Sequence, residues 1–252
     1  MSETARLCST HMTRETMAQK LDSTYLTVSS DSEMQVRALC HEAIEQSYRA
    51  VCIRPEWLPI ARDILVGSSV GLATVIAFPQ TRSTIKAQKN SSTFGVETIV
   101  AKCHAIDDAL TQGATELDVV VNTAAYHNTR PSMAYQVYEE CRQLLRAVDG
   151  RLLKLIFECD LVSVEQQHVA FDAALQAGVT CLKNATGFLE DGVGASPALL
   201  DRMTMHAKRA PQSTLVKASG GIRTTERALA LTQAGADIIG SSAAKIICDG
   251  LN

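Results

Sequence analysis

The feature that most constrains the fold is a unit that repeats along the chain from Lys20 onward. A short run of apolar and β-branched residues is followed by a polar turn and then by a longer stretch with helical spacing, an order typical of α/β proteins. Strands are predicted at Leu21–Tyr25, Ala50–Ile53, Gly71–Ala77, Glu116–Val121, Leu152–Phe157, Thr180–Leu182, Leu215–Lys217 and Ile238–Gly240. Helices are predicted between them at Ser32–Ser47, Val96–Gln112, Met133–Val148, Val164–Ala177 and Pro197–Lys208, with a last one from Ala243.

The predicted strands are almost continuously apolar, as is typical of parallel strands that are covered on both faces. Dividing the 252 residues by eight units gives about 31 residues per unit, close to the βα repeat of a (β/α)8 barrel. The other interpretation of this length, two smaller domains, finds no linker rich in Pro, Ser or Gly. We therefore predict a single-domain (β/α)8 TIM barrel over residues 20–252. Residues 1–19 are polar and lack a hydrophobic face, so they are predicted to form a mobile N-terminal tail.

Charge and hydropathy argue against two classes of partner. The chain has 24 Lys and Arg residues against 27 Asp and Glu residues, and its lysines are scattered, so a nucleic-acid-binding surface is not expected. The apolar runs stay well short of the ~18 uninterrupted residues of a membrane-spanning helix. Neither nucleic acid nor a membrane is therefore expected as a partner.

The cysteines and histidines do not have the spacing of disulfide frameworks or metal sites. The eight cysteines are spread along the chain without a CxxC pair, and most lie in apolar stretches, where free thiols behave as small core residues. With no apolar signal segment at the N-terminus, a cytoplasmic location is predicted. The six histidines lack the spacing of ligands, so no metal site is expected.

Charged residues occur within or at the end of four neighbouring apolar strands. Asp118 lies in predicted strand 4 and Lys154 in strand 5, whereas Lys183 and Lys217 close strands 6 and 7. The carboxyl ends of barrel strands carry the active sites of this fold, so polar residues there point to chemistry. A buried charge needs a partner, and a structural ion pair between Asp118 and Lys154 is the alternative interpretation.

Three lysines on three consecutive strands favour catalysis over a structural role. Adjacent strands lie ~4.8 Å apart, so the ammonium groups of Lys183 and Lys217 come close enough to repel, and repulsion together with burial lowers the pKa of a lysine. A neutral lysine amine attacks a carbonyl and forms a Schiff base, which is an electron sink for making or breaking a carbon–carbon bond. Asp118 is then expected to shuttle a proton through water, with Lys154 holding it ionised and oriented.

Glycine-rich turns after three strands predict a phosphate site. The loops after strands 7 and 8 of a barrel, together with a helix N-terminus, commonly direct backbone N–H groups at a phosphate. The candidates are Gly187 after strand 6, Gly220 and Gly221 after strand 7, and Gly240, Ser241 and Ser242 after strand 8. Each turn alone is weak evidence, but their positions relative to Lys183 and Lys217 strengthen the prediction.

Six segments of the chain resemble deoxyribose-phosphate aldolase, a family of class I aldolases. They are Leu21–Thr24, Val51–Pro55, Ala73–Pro79, Gly113–Asn122, Leu182–Phe188 and Val216–Thr224, of which the last two are the most specific. The resemblance runs from about Leu21 to Ile247. It implies a (β/α)8 barrel and the reversible cleavage of 2-deoxy-D-ribose 5-phosphate to D-glyceraldehyde 3-phosphate and acetaldehyde, without a metal or other cofactor, in deoxyribonucleotide catabolism.

The resemblance also implies roles for individual residues. Lys183 matches the Schiff-base lysine of the family, and Lys217 the lysine that activates it. Asp118 matches the proton-relay carboxylate and Lys154 its partner, while the glycines and serines of the predicted phosphate site match the family's phosphate-binding positions. Related enzymes are often dimers, so a homodimer is expected by analogy alone.

Two departures from the family pattern leave the substrate range open. Asn184 and Ala185 stand where the family usually has Thr and Ser, which removes hydroxyl groups beside Lys183. The polar stretch Lys86–Thr93 is predicted as a loop after strand 3 that is longer than the family's and lies on the active-site face. A related Schiff-base aldolase with another aldehyde or sugar phosphate is therefore an alternative, and a non-catalytic barrel that binds a sugar phosphate is a second one.

Overall fold

The computed structural model describes residues 12–91 and 94–251, and within them eight parallel strands close into a barrel in the order in which they occur along the chain. The strands are β1 (Leu21–Tyr25), β2 (Ala50–Ile53), β3 (Gly71–Ile76), β4 (Glu116–Val120), β5 (Leu152–Ile156), β6 (Cys181–Lys183), β7 (Leu215–Ser219) and β8 (Ile238–Ser241). Strand β8 pairs with β1 and completes the barrel. The predicted (β/α)8 barrel is confirmed.

Among the described residues, one helix precedes β1, one follows β8, and the others connect successive strands. The helices are α1 (Arg14–Ala18), α2 (Ser32–Glu45), α3 (Leu58–Leu65), α4 (Ile85–Ser91), α5 (Ile99–Thr111), α6 (Arg130–Ala147), α7 (Val164–Ala177), α8 (Pro197–Arg209), α9 (Thr225–Gln233) and α10 (Ala244–Asp249). Short 3-10 turns occupy Pro55–Trp57, Thr123–His127 and Cys159–Leu161. In the described part of the chain, none of the helices has both the length and the apolar character needed to cross a membrane.

Helix α7 shows how local sequence sets an element's ends. The Ser163 hydroxyl accepts the N–H of Gln166 at 3.2 Å, and the Gln166 side chain accepts the N–H of Ser163 at 2.9 Å, which satisfies two free donors at the start of the helix. Gly178 follows the last turn with a φ of 104°, a left-handed conformation that glycine adopts without steric cost. The predicted bounds of this helix, Val164–Ala177, agree with the structure.

The main core lies between the barrel strands and the surrounding helices, and strand register places the charged residues together inside the barrel. Asp118 on β4 is level with Lys154 on β5, and Lys183 on β6 is level with Lys217 on β7. A smaller apolar cluster includes Cys52 on β2 and side chains from β3, β4, β5 and the loops that follow strands. Apolar packing therefore surrounds the charged group.

The segment before β1 is more ordered than predicted. Helix α1 lies inside the predicted tail of residues 1–19, its N-cap Thr13 accepts the N–H of Thr16, and Met17 is fully buried in the main core. Arg49 N–H also donates to the carbonyl oxygen of Ala18 at 3.0 Å. The prediction of a tail is thus corrected for residues 13–19, because one buried methionine anchors a helix too short to show an apolar face. Residues 1–11 lie outside the described residues.

The predicted loop at Lys86–Thr93 is a helix over most of its length, since α4 spans Ile85–Ser91. Its first turn is stabilised by Thr84, whose hydroxyl accepts the N–H of Ala87 at 3.2 Å. Asp191, far along the chain, accepts the N–H of Ile85 at 2.7 Å. The sequence predicted a loop because these seven residues are mostly polar and show no helical periodicity of apolar residues. The contact with Asp191 is distant in sequence and could not be recognised from it. Residues 92 and 93 lie outside the described residues.

Candidate active site

The four charged residues predicted to carry chemistry meet inside the barrel. Asp118 and Lys154 lie at the centres of β4 and β5, Lys183 ends β6, and Lys217 lies at the centre of β7. All four are buried, with exposed fractions between 0% and 3%. Alternation along a strand points these side chains into the barrel, where they reach one another.

Asp118 is the centre of this group. Its Oδ2 accepts hydrogen bonds from Lys183 Nζ at 2.7 Å and from Lys217 Nζ at 2.8 Å. Its Oδ1 accepts from Lys154 Nζ at 2.9 Å. The structural ion pair between Asp118 and Lys154 is therefore present, but it accounts for only one of the carboxylate's oxygens. The other oxygen holds two ammonium groups on adjacent strands together.

Two further carboxylates balance the buried positive charge. Asp22 on β1 accepts from Lys217 Nζ at 2.5 Å, and Glu116 on β4 accepts from Lys154 Nζ at 2.6 Å. Arg49 lies between them and donates to both carboxylates. In the sequence, Asp22 stands out only as part of the segment Leu21–Thr24 that resembles the family. Its signal is weaker than that of Asp118, because Ser23 and Thr24 follow it and β1 is not an apolar run.

The pKa values in this group follow from burial opposed by the neighbouring charges. Burial works against ionisation of Asp118, but the three ammonium groups around it hold its pKa well below its usual range. Burial likewise disfavours the charged form of Lys217, yet Asp118 and Asp22 raise its pKa above the usual value. Asp118, Asp22 and Glu116 in the same way raise the pKa of Lys154 well above its usual value against the effect of burial. Lys217 therefore does not have the lowered pKa that repulsion and burial alone would give it, because two carboxylates outweigh both effects.

A cavity of about 130 Å³ opens beside Lys183 at the carboxyl ends of the strands. Four of the predicted phosphate-site residues line it, namely Gly220, Gly240, Ser241 and Ser242. It is also lined by Thr24, Tyr25, Leu26, Thr27, Arg82, Thr186, Phe188 and Ser219. The nucleophile candidate and most of the phosphate candidates thus share one cavity, which we call the Lys183 cavity.

The other two phosphate candidates lie around an adjacent space. Gly187 and Gly221 line a second cavity of about 150 Å³, with Gly220 lining both cavities. A Cβ atom on Gly187 would lie 3.2 Å from the Cα atom of Gly220, so a side chain there would crowd the turn between the cavities. The Ser241 hydroxyl is already engaged, since it donates to the carbonyl oxygen of Ile222 at 2.6 Å.

Asn184, one of the departures from the family pattern, ties β6 to β7. Its side-chain oxygen accepts the N–H of Ser219 at 2.8 Å, and its amide group donates to the carbonyl oxygen of Ser219 at 3.0 Å. The Ser219 hydroxyl donates in turn to the carbonyl oxygen of Ala185 at 2.6 Å. Asn184 therefore fixes the ends of the two strands that carry Lys183 and Lys217.

Glu158, which is not among the predicted site residues, lies behind the loop that follows β6. One of its carboxylate oxygens accepts both the N–H of Thr186, at 3.1 Å, and the hydroxyl of the same residue. The other oxygen, Oε1, is buried without a hydrogen-bond partner among the described residues. Burial raises the pKa of Glu158 to about 7, against the opposing hydrogen bonds from Thr186. Its position directly after a strand was the only sequence signal.

Comparison with known proteins places the chain among aldolases. Residues 16–249 match the model of the DeoC/LacD family aldolase. A deoxyribose-phosphate aldolase of Dictyoglomus turgidum is 32% identical over 240 residues, covering 95% of this chain and 99% of that protein. One of Bacillus cereus is 33% identical over 232 residues, covering 92% of this chain and 94% of that protein.

Solved structures agree with this relationship. A crystal structure described as a putative deoxyribose-phosphate aldolase from Coccidioides immitis superimposes with a TM-score of 0.82 at 30% identity, over 94% of this chain and 85% of that chain. A structure described as a unique tetrameric deoxyribose phosphate aldolase from Aeropyrum pernix gives a TM-score of 0.77 at 28% identity, over 94% and 92% of the two chains.

Proposed function

The chain belongs to the DeoC/LacD family of aldolases, and we propose that it reversibly cleaves 2-deoxy-D-ribose 5-phosphate to D-glyceraldehyde 3-phosphate and acetaldehyde. The observation that carries the proposal is the meeting of Lys183 and Lys217 at Asp118 Oδ2 beside a cavity lined by glycine and serine turns. An amine nucleophile, a carboxylate for proton transfer and a phosphate site are the parts that a class I aldolase needs.

The reaction begins at Lys183. Its neutral amine attacks the aldehyde carbon of the open-chain sugar, and loss of water from the adduct gives an iminium ion. Asp118 contacts Lys183, and Lys217 contacts Asp118. Both residues are therefore placed to take up and return the protons of these steps. The ammonium groups around Asp118 hold its pKa well below its usual range, so it is ionised, which is the form that can accept a proton.

Cleavage then breaks the bond between C2 and C3 of the sugar. The C3 hydroxyl passes its proton through a water to Asp118, the electron pair of the C2–C3 bond moves into the iminium group, and D-glyceraldehyde 3-phosphate leaves. The proton then returns from Asp118 through water to C2 of the remaining enamine, and water hydrolyses the resulting iminium ion to acetaldehyde and free Lys183. In this scheme Lys154 keeps Asp118 ionised and oriented through its 2.9 Å contact.

The partners and location of the protein are also proposals. The small-molecule partner is a phosphorylated sugar. A homodimer is proposed by analogy with related enzymes. Assembly differs among relatives, since the Aeropyrum pernix protein is described as tetrameric. A cytoplasmic location is supported by the cysteines within residues 12–91 and 94–251, all of which are free thiols.

Trapping of the Schiff base tests the proposal. Borohydride reduction in the presence of acetaldehyde, followed by peptide mass mapping, is expected to find an N-ethyl adduct on Lys183. Lys183→Met should give no adduct, whereas Lys208→Met, a change on the exposed side of α8, should leave it in place. A coupled assay for D-glyceraldehyde 3-phosphate then tests the substrate. An unmodified Lys183 would overturn the Schiff-base mechanism, and a trapped enzyme inactive on deoxyribose 5-phosphate would point to another sugar phosphate.

A further inference from the structure

The segment that follows β3 is fastened across the loop that follows β6. Ser83 N–H donates to the carbonyl oxygen of Phe188 at 3.0 Å, and Glu190 N–H donates to the carbonyl oxygen of Ser83 at 2.8 Å, which forms a parallel bridge between Ser83 and Leu189. Two residues later, Ile85 N–H donates to Asp191 at 2.7 Å. These bonds hold the residue before Ser83, Arg82, at the mouth of the Lys183 cavity.

Arg82 lines both the Lys183 cavity and the second cavity beside it. Its Cζ atom lies 5.4 Å from the centre of the Phe188 ring, which itself packs edge-on against Phe78 at 4.8 Å. Stacking on a fixed aromatic ring orients the planar guanidinium without using its N–H donors. Within the described residues, those donors form no ion pair and no hydrogen bond, so they remain available to a ligand.

The charge of the cavity lining is one-sided. Its described lining residues include two cations, Lys183 and Arg82, and no carboxylate. Lys183 contacts Asp118 and must be neutral when it attacks a carbonyl, so it is not available to balance a phosphate dianion. The backbone N–H group of Gly220, which directly follows β7, can donate a hydrogen bond, but it carries no full charge. Among the described residues that line this cavity, Arg82 is the one left that can supply a full positive charge.

We propose, on the basis of the proposed aldolase function, that Arg82 determines specificity for phosphorylated substrates by binding the phosphate group in the Lys183 cavity. A planar guanidinium forms two parallel hydrogen bonds with a phosphate, and these charged bonds are stronger than those from neutral donors.

Substrate comparison across variants tests the role of Arg82. Arg82→Gln is expected to raise KM for deoxyribose 5-phosphate by about tenfold to a hundredfold, the usual effect of losing a charged hydrogen bond. The same change should lower kcat/KM for 2-deoxyribose, which has no phosphate, at least about tenfold less than it lowers kcat/KM for deoxyribose 5-phosphate. Arg82→Lys should recover part of the affinity because it restores the charge. Lys86→Gln is the matched control, since it removes an exposed charge from the same segment outside the cavity lining.

Binding of inorganic phosphate, measured by calorimetry, separates this inference from the proposed function. Weaker phosphate binding to Arg82→Gln than to the wild type and to Lys86→Gln supports the role of Arg82, whether or not the enzyme cleaves deoxyribose 5-phosphate. Equal losses of kcat/KM on the two sugars, or unchanged phosphate binding in Arg82→Gln, would overturn it. A wild type that binds phosphate through Arg82 but leaves deoxyribose 5-phosphate intact would instead refute the proposed function.

Discussion

At the scale of single residues, the charge of Asp118 determines how three ammonium groups can be buried together. Each of its oxygens accepts a hydrogen bond from at least one lysine, and a second carboxylate, Asp22, shares Lys217 with it. Isolated lysines in a barrel interior would be neutral or would destabilise the fold. The same carboxylate is therefore required for the fold and for the proposed chemistry.

Asp118→Asn tests the role of Asp118 in both stability and catalysis, and a control variant is needed to distinguish the two effects. The change leaves three buried lysines with one fewer carboxylate, so we expect a loss of about 3 to 5 kcal/mol in the free energy of unfolding. Removal of the proton relay should lower kcat about a hundredfold to ten-thousandfold. Urea unfolding and the coupled aldolase assay measure the two effects.

Glu116→Gln is the matched control for Asp118→Asn. It removes the same charge from the same strand, but Glu116 contacts Lys154 and Arg49 and does not contact Lys183. We expect it to destabilise the protein while kcat falls far less than in Asp118→Asn. Equal effects of the two variants on kcat would contradict a proton-relay role for Asp118.

Glu158 predicts a pH dependence of stability. Because its pKa is raised to about 7 in the folded protein from an ordinary value of 4.5, the folded state holds a proton that the unfolded state has released between these two pH values. Stability from this group is therefore full below about pH 4.5 and is lost as the pH rises toward about 7, by about 3 kcal/mol.

Glu158→Gln tests this dependence, since glutamine does not titrate and can still accept the N–H of Thr186. The unfolding free energy of the wild type, relative to that of the variant, should be about 2.5 kcal/mol lower at about pH 8 than at about pH 5, measured in urea. A difference that stays constant with pH would show that Glu158 does not titrate in this range.

At the scale of elements, short helices owe their formation to contacts distant in sequence. Helix α1 is anchored by Met17, and α4 begins where Asp191 accepts a backbone N–H. Helices this short are not stable alone in water, so their propensity in the sequence is uninformative. By contrast, α7 carries its own caps at both ends and was predicted with the observed bounds.

Met17→Ala tests whether α1 is part of the barrel's core. Truncation of this fully buried side chain should lower the free energy of unfolding by about 2 to 5 kcal/mol, through lost burial and the cavity left behind. Met34 on α2 is 62% exposed, so Met34→Ala should change stability by less than about 0.5 kcal/mol. Similar small effects of both changes in chemical denaturation would indicate that α1 does not contribute to the core.

At the scale of the whole molecule, closure of the barrel brings together residues from opposite ends of the chain. Asp22 and Lys217 are 195 positions apart in sequence and 2.5 Å apart at their charged atoms. Closure also encloses most of the cysteines, since six of the seven within the described residues are buried and only Cys103 is partly accessible.

Titration with a thiol reagent tests this enclosure. In the native protein we expect rapid reaction of Cys103 and of no more than one other thiol, the upper limit being set by Cys8, which lies outside the described residues. All eight cysteines should react after unfolding in denaturant. Cys103→Ser should reduce the native count by one. Rapid native reaction of three or more thiols would contradict the packing.

The sequence by itself determined the barrel and its catalytic candidates. Continuous apolar strands with helical stretches between them allow few other arrangements, and charged residues such as Asp118 and Lys183 are conspicuous within such strands because burying a charge is costly. Only the tertiary structure decided which charges share a partner and which groups reach the cavity. The tertiary structure was needed to identify Asp22, Glu158 and Arg82 as members of the site. Strand register, barrel closure and the bridge at Ser83 depend on contacts that no local stretch of sequence encodes.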